Sequence, residues 1–370
     1  MGENSEFPSF GGIKETVNEL AASGETYTRV RLGQLLVLAF LASGYLSLSA
    51  LLAIAVSADI PWFGLQKAIA GAVFPMGLIA VVIGGAQLFT GCVMFTPMAC
   101  VTQRIRWGNV LYNWVGAYCG NFIGGITLAY ITIIGASMLT GPGYGPIWEE
   151  YITRIAVLKA SGSSGATIIT AEGMKVFIAG LSWQEVFWRG VGANWLVNLA
   201  IYLAARTKDM TAKFFLIWFP TFTFFAIGFE HSIVNMYLIP AGIMVGAPIG
   251  WSEFFYNNLI PATLGNIVGA GVFVGTFYWY ASGMPLQRLI GNGMLKEQRG
   301  THRYLVVFMG KMILVIALFM SLLPIAGWLL ATISSYAAPI VIATYFIAVC
   351  VIITYGLKLN REITSRANAN

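Results

Sequence analysis

The sequence predicts an all-α polytopic membrane protein, and three observations carry that prediction. Apolar residues make up 58% of the 370-residue chain and charged residues only 10%, where soluble domains carry roughly a quarter charged. Apolar runs recur that can each cross a hydrocarbon core, which takes about 20 residues per helix. Those runs are continuous rather than alternating, which argues against a β-barrel. The four cysteines, Cys92, Cys100, Cys119 and Cys350, lie scattered in apolar runs. They show no zinc, haem or disulfide spacing and read as small buried hydrophobes, so no cofactor or metal is expected. The residues before the first apolar run are polar and lack the apolar stretch of a cleavable signal peptide. The pI near 9.1 reflects Lys and Arg in loops. That is a topology signal and not a sign of a nucleic-acid partner.

Span one is Leu35–Val56, followed by a turn at Asp59-Ile60-Pro61-Trp62. The next apolar stretch, Leu65–Val101, would reach roughly 55 Å as one straight helix, well beyond the bilayer core. It is expected to break at Gly84-Gly85-Ala86-Gln87-Leu88-Phe89-Thr90-Gly91. Span three is Val110–Leu139, and a long polar segment, Thr140–Ser182, follows it. Span four is Val186–Ala205. The fifth region, Phe214–Ile249, is again too long, and Pro220, Gly228, Glu230, His231 and Pro240 predict a break near the histidine. Span six is Leu259–Tyr280.

The two sets of three spans share a plan. Each has a simple first helix, an interrupted second and a third opening with an Asn. The third spans also share wording, Gly120-Asn121-Phe122-Ile123-Gly124-Gly125 against Gly265-Asn266-Ile267-Val268-Gly269-Ala270. An odd number of spans per half inverts the second repeat, and matched broken helices in inverted halves point to a pore near the bilayer midplane. The glycines alone are equally explained by close helix packing; the paired breaks favour the pore.

Arg29, Arg31, Arg104, Arg106, Arg206, Lys208, Lys213, Arg288, Lys296, Arg299, Arg303, Lys358, Arg361 and Arg366 fall on one side if the spans alternate, and that side is cytoplasmic. The alternation closes only if the tail crosses twice, for which Tyr304–Trp328 and Ala337–Tyr355 are long enough. Lys311 then snorkels to the cytoplasmic face. The expected organisation is a cytoplasmic N-terminal segment 1–33, a pore domain 34–283, a basic cytoplasmic linker 284–303, an additional transmembrane hairpin 304–357 and a cytoplasmic tail 358–370. The protein is expected in the plasma (inner) membrane with both termini cytoplasmic.

His231 is the most informative residue, because an ionisable group inside a span is costly and generally faces a cavity or pathway. Glu230 stands beside it in the chain. Asn235 follows by one helical turn, which predicts a shared face with His231. Thr90, in the other break, is the expected hydroxyl partner that fixes the imidazole tautomer. Phe74, Leu78, Leu88 and Phe224 are expected as apolar guards, although each taken singly is better explained by helix packing.

Leu88-Phe89-Thr90-Gly91, Gly120-Asn121-Phe122-Ile123-Gly124, Asn194-Trp195-Leu196-Val197, Phe229-Glu230-His231-Ser232-Ile233-Val234-Asn235-Met236 and Asn258-Leu259-Ile260-Pro261-Ala262-Thr263-Leu264-Gly265-Asn266 resemble the formate/nitrite transporter family, in order, from about Leu35 to Tyr280. The resemblance implies a homopentamer of aquaporin-like protomers, each with its own pore. It makes His231 the central pore histidine, Thr90 its partner and Asn235 its neighbour. It places Phe74, Leu78, Leu88 and Phe224 at constrictions and matches Lys175 to a vestibule lysine, at a longer distance from span four. This chain departs from the family pattern in three ways. Gln87 replaces an acidic residue, which predicts a looser loop anchor or altered local charge. Thr90-Gly91-Cys92 replaces the commoner loop wording. The tail beyond Gln287 is extra.

The resemblance implies channel-like, proton-linked permeation of small weak-acid anions across the bilayer, with formate ahead of nitrite and hydrosulfide. An enzyme is not expected, because one histidine and one carboxylate make a thin catalytic set. An ammonium channel would want a second pore histidine, and His302 lies in a basic loop. A water or neutral-solute channel shares the architecture but lacks paired Asn-Pro-Ala loops. In that reading Glu230 and His231 would be a structural staple between helices.

Overall fold

The computed structural model of the chain describes residues 11–142, 145–284, 287–290, 294–297 and 301–322, with isolated positions between 325 and 354. It is mostly helical. Helix α1 (Ile13–Arg29) precedes α2 (Leu32–Ser57). The first over-long region forms α3 (Phe63–Val73) and α4 (Pro75–Gly84), then breaks before α5 (Phe89–Val101). Helix α6 (Trp107–Tyr130) ends in a π-helical turn. After α7 (Gly145–Ala160) comes a hairpin of β1 (Ala166–Ile169) and β2 (Lys175–Ile178). Helix α8 (Trp183–Ala205) leads to α9 (Met210–Ala226), a second break and α10 (Ser232–Met244). The rod Trp251–Ala281 strings α11 (Trp251–Glu253), α12 (Ile260–Val268) and α13 (Phe277–Ala281) together through two π-helical stretches. Strands β3 (Gln287–Ile290) and β4 (Met294–Glu297) pair antiparallel before α14 (Thr301–Met320).

Four helices among the described residues are long and apolar enough to cross a bilayer: Leu32–Ser57, Phe63–Gly84, Trp107–Gly135 and Trp251–Ala281. The breaks fall where the sequence places them. Gly85 closes α4 at φ 71°, and Gly228 follows α9 at φ 77°. Both are left-handed conformations that residues with a Cβ rarely adopt. The core lies on the two short helices that follow the breaks. Every residue of α5 is buried, and so is α10 from Ser232 to Gly242. The scaffold closes around them by tight helix contacts. A Cβ on Gly120 would collide with Ala39 and the Leu36 carbonyl of α2, and one on Gly265 with the Phe187 carbonyl of α8.

Four segments carry structure that the sequence expectation left out. Residues 140–182 are not simply a polar connection, because α7 buries Ile152, Ala156, Val157 and Ala160 and packs on α10. Those positions recur at helical spacing, but intervening Glu149, Glu150, Arg154 and Lys159 mask the stripe. The N-terminal segment contains α1, an amphipathic helix that packs along α5. The expected linker 284–303 contains the β3–β4 hairpin. In the tail, α14 lays Met312, Val315 and Phe319 inward. Phe319 stacks on Phe89 at 5.2 Å between ring centroids, edge-on to Trp114 and Tyr118. The second expected tail span lies largely outside the described residues.

Candidate functional site

Two asparagines hold the two breaks. In the first, Asn121 Oδ1 accepts from the Phe89 N–H at 2.9 Å, and its Nδ2 donates to the Ala39 and Gln87 carbonyls. In the second, Asn266 Oδ1 accepts from the Ser232 N–H at 2.8 Å, and its Nδ2 donates to the Gly190 and Glu230 carbonyls. The Gln87 N–H donates to the Leu38 carbonyl and the Glu230 N–H to the Arg189 carbonyl. Each buried asparagine thus satisfies backbone groups that a broken helix would otherwise strand in an apolar interior. Gln87 does not leave its loop loose: it is buried and its Oε1 accepts from Asn113 Nδ2 at 3.0 Å.

The breaks bring Thr90 and His231 together. Thr90 Oγ1 lies 3.0 Å from His231 Nε2. His231 is the N-cap of α10, where its Nδ1 accepts from the Val234 N–H at 3.3 Å. A ring nitrogen that accepts carries no proton, so the imidazole holds its hydrogen on Nε2 and offers it to the threonine. Asn194 and Asn198 donate to the Thr90 carbonyl at 3.0 and 2.9 Å, which fixes that residue from below. The pair is sealed from lipid, with Thr90 fully buried and His231 2% exposed.

Apolar rings crowd this centre. Phe224 lies 5.8 Å from the His231 ring and meets Phe74 edge-on at 5.6 Å. Phe74, Leu78, Leu88 and Phe224 are all buried. Leu88 occupies in the first break the N-cap position that His231 occupies in the second.

Two sequence expectations are corrected by this geometry. Glu230 is adjacent to His231 in the chain but is not hydrogen-bonded to it. Its carboxylate accepts from Lys159 Nζ at 2.6 Å, Asn235 Nδ2 at 2.7 Å and Asn258 Nδ2 at 3.0 Å. Asn235 accordingly turns to Glu230 and not to the imidazole. His231 sits at the cap, outside the helical rotation that the spacing argument assumed. A buried carboxylate is tolerable only when paired and hydrogen-bonded, and this one, 1% exposed, has three donors. Lys159, at the end of α7, was not singled out from the sequence. Its signal was a cation ending a half-masked apolar stripe. Lys175 lies exposed on β2, and among the described residues no hydrogen bond or ion pair joins it to this group. Ser232 Oγ and Asn235 Oδ1 are buried beside the site without protein partners, leaving them available to a small polar guest.

Comparison with known proteins was consistent. The formate/nitrite transporter family matches residues 14–280. A "Probable formate transporter" of Methanothermobacter thermautotrophicus is 42% identical over 276 residues, covering 74% of this chain and 97% of the relative. A solved "FNT family ion channel" superposes with a TM-score of 0.61 at 26% identity, covering 72% of this chain and 98% of its own. A "Pentameric formate channel with formate bound" gives a TM-score of 0.56 at 28% identity, covering 68% and 97%.

Proposed function

The chain belongs to the formate/nitrite transporter family, and from that premise we propose that each protomer is a channel-like passage for small monovalent weak-acid anions, with formate the first substrate. The observation that carries this reading is the Thr90–His231 pair, held where two broken helices meet and collared by apolar side chains. The relative that binds formate is a pentamer, so we propose a homopentamer with one passage per protomer. The matched clamps Asn121 and Asn266 support an aquaporin-like inverted repeat of three plus three helices. The basic loops support a plasma (inner) membrane protein with both termini cytoplasmic. The pore domain in this reading is 34–283, flanked by the 1–33 segment, the 284–303 linker, a tail hairpin over 304–357 and a 358–370 tail.

Stripping water from a carboxylate inside an apolar neck costs several kcal/mol. A formate anion that takes up a proton becomes neutral formic acid, crosses Phe74, Leu78, Leu88 and Phe224 at lower cost, and releases the proton on the far side. The His231 Nε2–H, buffered by Thr90, is the hydrogen-bond donor at the point where that exchange with water takes place, and Asn235 orders Glu230 beside it. Nitrite and hydrosulfide have the same weak-acid chemistry and are the competitors to test.

The experiment is uptake of labelled formate into proteoliposomes under an imposed pH gradient. Uptake should accelerate when the side of origin is acidified, and His231→Phe should abolish that acceleration. Uptake indifferent to the gradient would exclude proton linkage, and normal uptake by His231→Phe would remove the histidine from the mechanism.

A further inference from the structure

The family match ends at residue 280, and the residues after it form no part of the Thr90–His231 site. From 284 to 303 the sequence carries Arg288, Lys296, Arg299 and Arg303 against a single carboxylate, Glu297. Part of this segment folds into the antiparallel pair β3 and β4, a sheet of two strands only. Register decides how its charges are arranged. Arg288 stands opposite Lys296 and Ile290 opposite Met294, and alternation along each strand puts these four positions on one face. Gln287 opposite Glu297 and Leu289 opposite Leu295 make up the other face. The carboxylate position therefore falls on the face away from the two cations. Like charges directly opposite one another destabilise a ladder, and a lone two-stranded hairpin is marginal in water. Pairing Arg288 with Lys296 is an arrangement that an anion on that face relieves.

The hairpin is tied to the membrane surface at both ends. Helix α13 ends at Ala281, and Tyr280, exposed at that end, is a residue type that favours the membrane–water interface. Strand β3 begins at Gln287, six residues after Ala281, and β4 ends at Glu297, four residues before α14 starts at Thr301. Six extended residues reach at most roughly 20 Å, so the strands stay close to the headgroups. We propose that the face carrying Arg288, Ile290, Met294 and Lys296 is a docking surface for anionic phospholipid headgroups, on the side that the basic loops mark as cytoplasmic. Cations beside a membrane helix are drawn to an anionic leaflet within a Debye length. Headgroup phosphates neutralise the Arg288–Lys296 pair, and the apolar pair Ile290–Met294 rests toward the acyl chains. Bound in this way, the hairpin fixes the start of α14, the helix whose Phe319 stacks on Phe89. The inference needs only a membrane-embedded chain and stands apart from the formate reading.

The test titrates the full chain in detergent with phosphatidylglycerol or phosphatidylcholine and counts bound lipid by native mass spectrometry. Phosphatidylglycerol should bind more tightly. Arg288→Gln combined with Lys296→Gln should weaken its binding by roughly thirtyfold, about fivefold for each cation lost, and leave phosphatidylcholine unchanged. Removing two cations from another basic loop, by Lys208→Gln with Lys213→Gln, should weaken it by less than about threefold, because those residues lie outside the hairpin. Exchanging the pair as Arg288→Lys with Lys296→Arg should keep phosphatidylglycerol affinity within about threefold of wild type, which separates loss of charge from loss of the strands. Unchanged phosphatidylglycerol binding in the hairpin variant would overturn the inference. Equal losses in the two double variants would overturn it too, since diffuse surface charge would then suffice. Inorganic phosphate binding as tightly as phosphatidylglycerol, and lost with the same two substitutions, would overturn the lipid as the ligand.

Discussion

The two breaks use one backbone device and opposite chemistry. In each, a mid-helix asparagine, Asn121 or Asn266, clamps the loop to the first long helix of its half. In each, a second asparagine, Asn113 or Asn258, donates to the loop's polar side chain and to a carbonyl of the helix behind it, Tyr27 or Lys159. The first break is neutral throughout, with Gln87 on Asn113 and Leu88 at the cap. The second carries a carboxylate, an ammonium and an imidazole. Matching backbone bonds therefore do not by themselves require charge to hold a broken helix in an apolar interior. The charges of the second break are surplus to the scaffold, which is why function is best sought there.

The comparison is broken most severely by removing Glu230. Glu230→Ala leaves Lys159 without its counter-ion and takes one acceptor each from Asn235 and Asn258, and should cost about 3–5 kcal/mol, as for other buried pairs that lose one partner. The matched Gln87→Ala takes one acceptor from Asn113, which keeps the Tyr27 carbonyl, and should cost about 1–3 kcal/mol. Thermal unfolding of the two variants in detergent checks the order. Equal losses would mean that the ion pair is no more than another hydrogen bond.

A smaller effect is expected where the breaks meet. Thr90→Val leaves the His231 Nε2–H without its acceptor, for about 1–3 kcal/mol. It should also slow formate uptake and blunt the pH-gradient response without abolishing uptake, as judged in the same liposomes. A response equal to wild type would show that the hydroxyl plays no part in proton exchange. The smallest effect on transport is expected from Phe319→Ala. That ring stacks on Phe89, one residue before Thr90. Its loss should lower thermal stability, as buried Phe→Ala changes do, by up to about 3–5 kcal/mol. Formate uptake should stay within about twofold, because Asn121 still holds the Phe89 N–H. A large loss of uptake would instead tie the tail helix to the first break.

Much of this arrangement was legible in the chain. Length against bilayer thickness located both breaks, and Gly85 and Gly228 mark them because they take left-handed conformations. The pairing of Thr90 with His231 followed from placing a hydroxyl in one break opposite an imidazole in the other. Partners of Glu230 were less accessible. Sequence adjacency suggested His231 and helical spacing turned Asn235 toward it, but His231 caps α10 rather than lying in it. Lys159 was hidden because α7 alternates buried Ile152, Ala156, Val157 and Ala160 with charged neighbours, which reads as a polar loop until α10 is seen against it.

By itself, the order of apolar runs, glycines and a solitary histidine determined the class of protein and where two of its apolar stretches are interrupted. These are properties of local chemistry, since backbone groups must be satisfied within each span and only particular residues permit interruption. Tertiary structure alone decided which cation neutralises Glu230. That choice depends on α7 packing against α10, and charges far apart in sequence interact only once the fold brings them within a few ångströms.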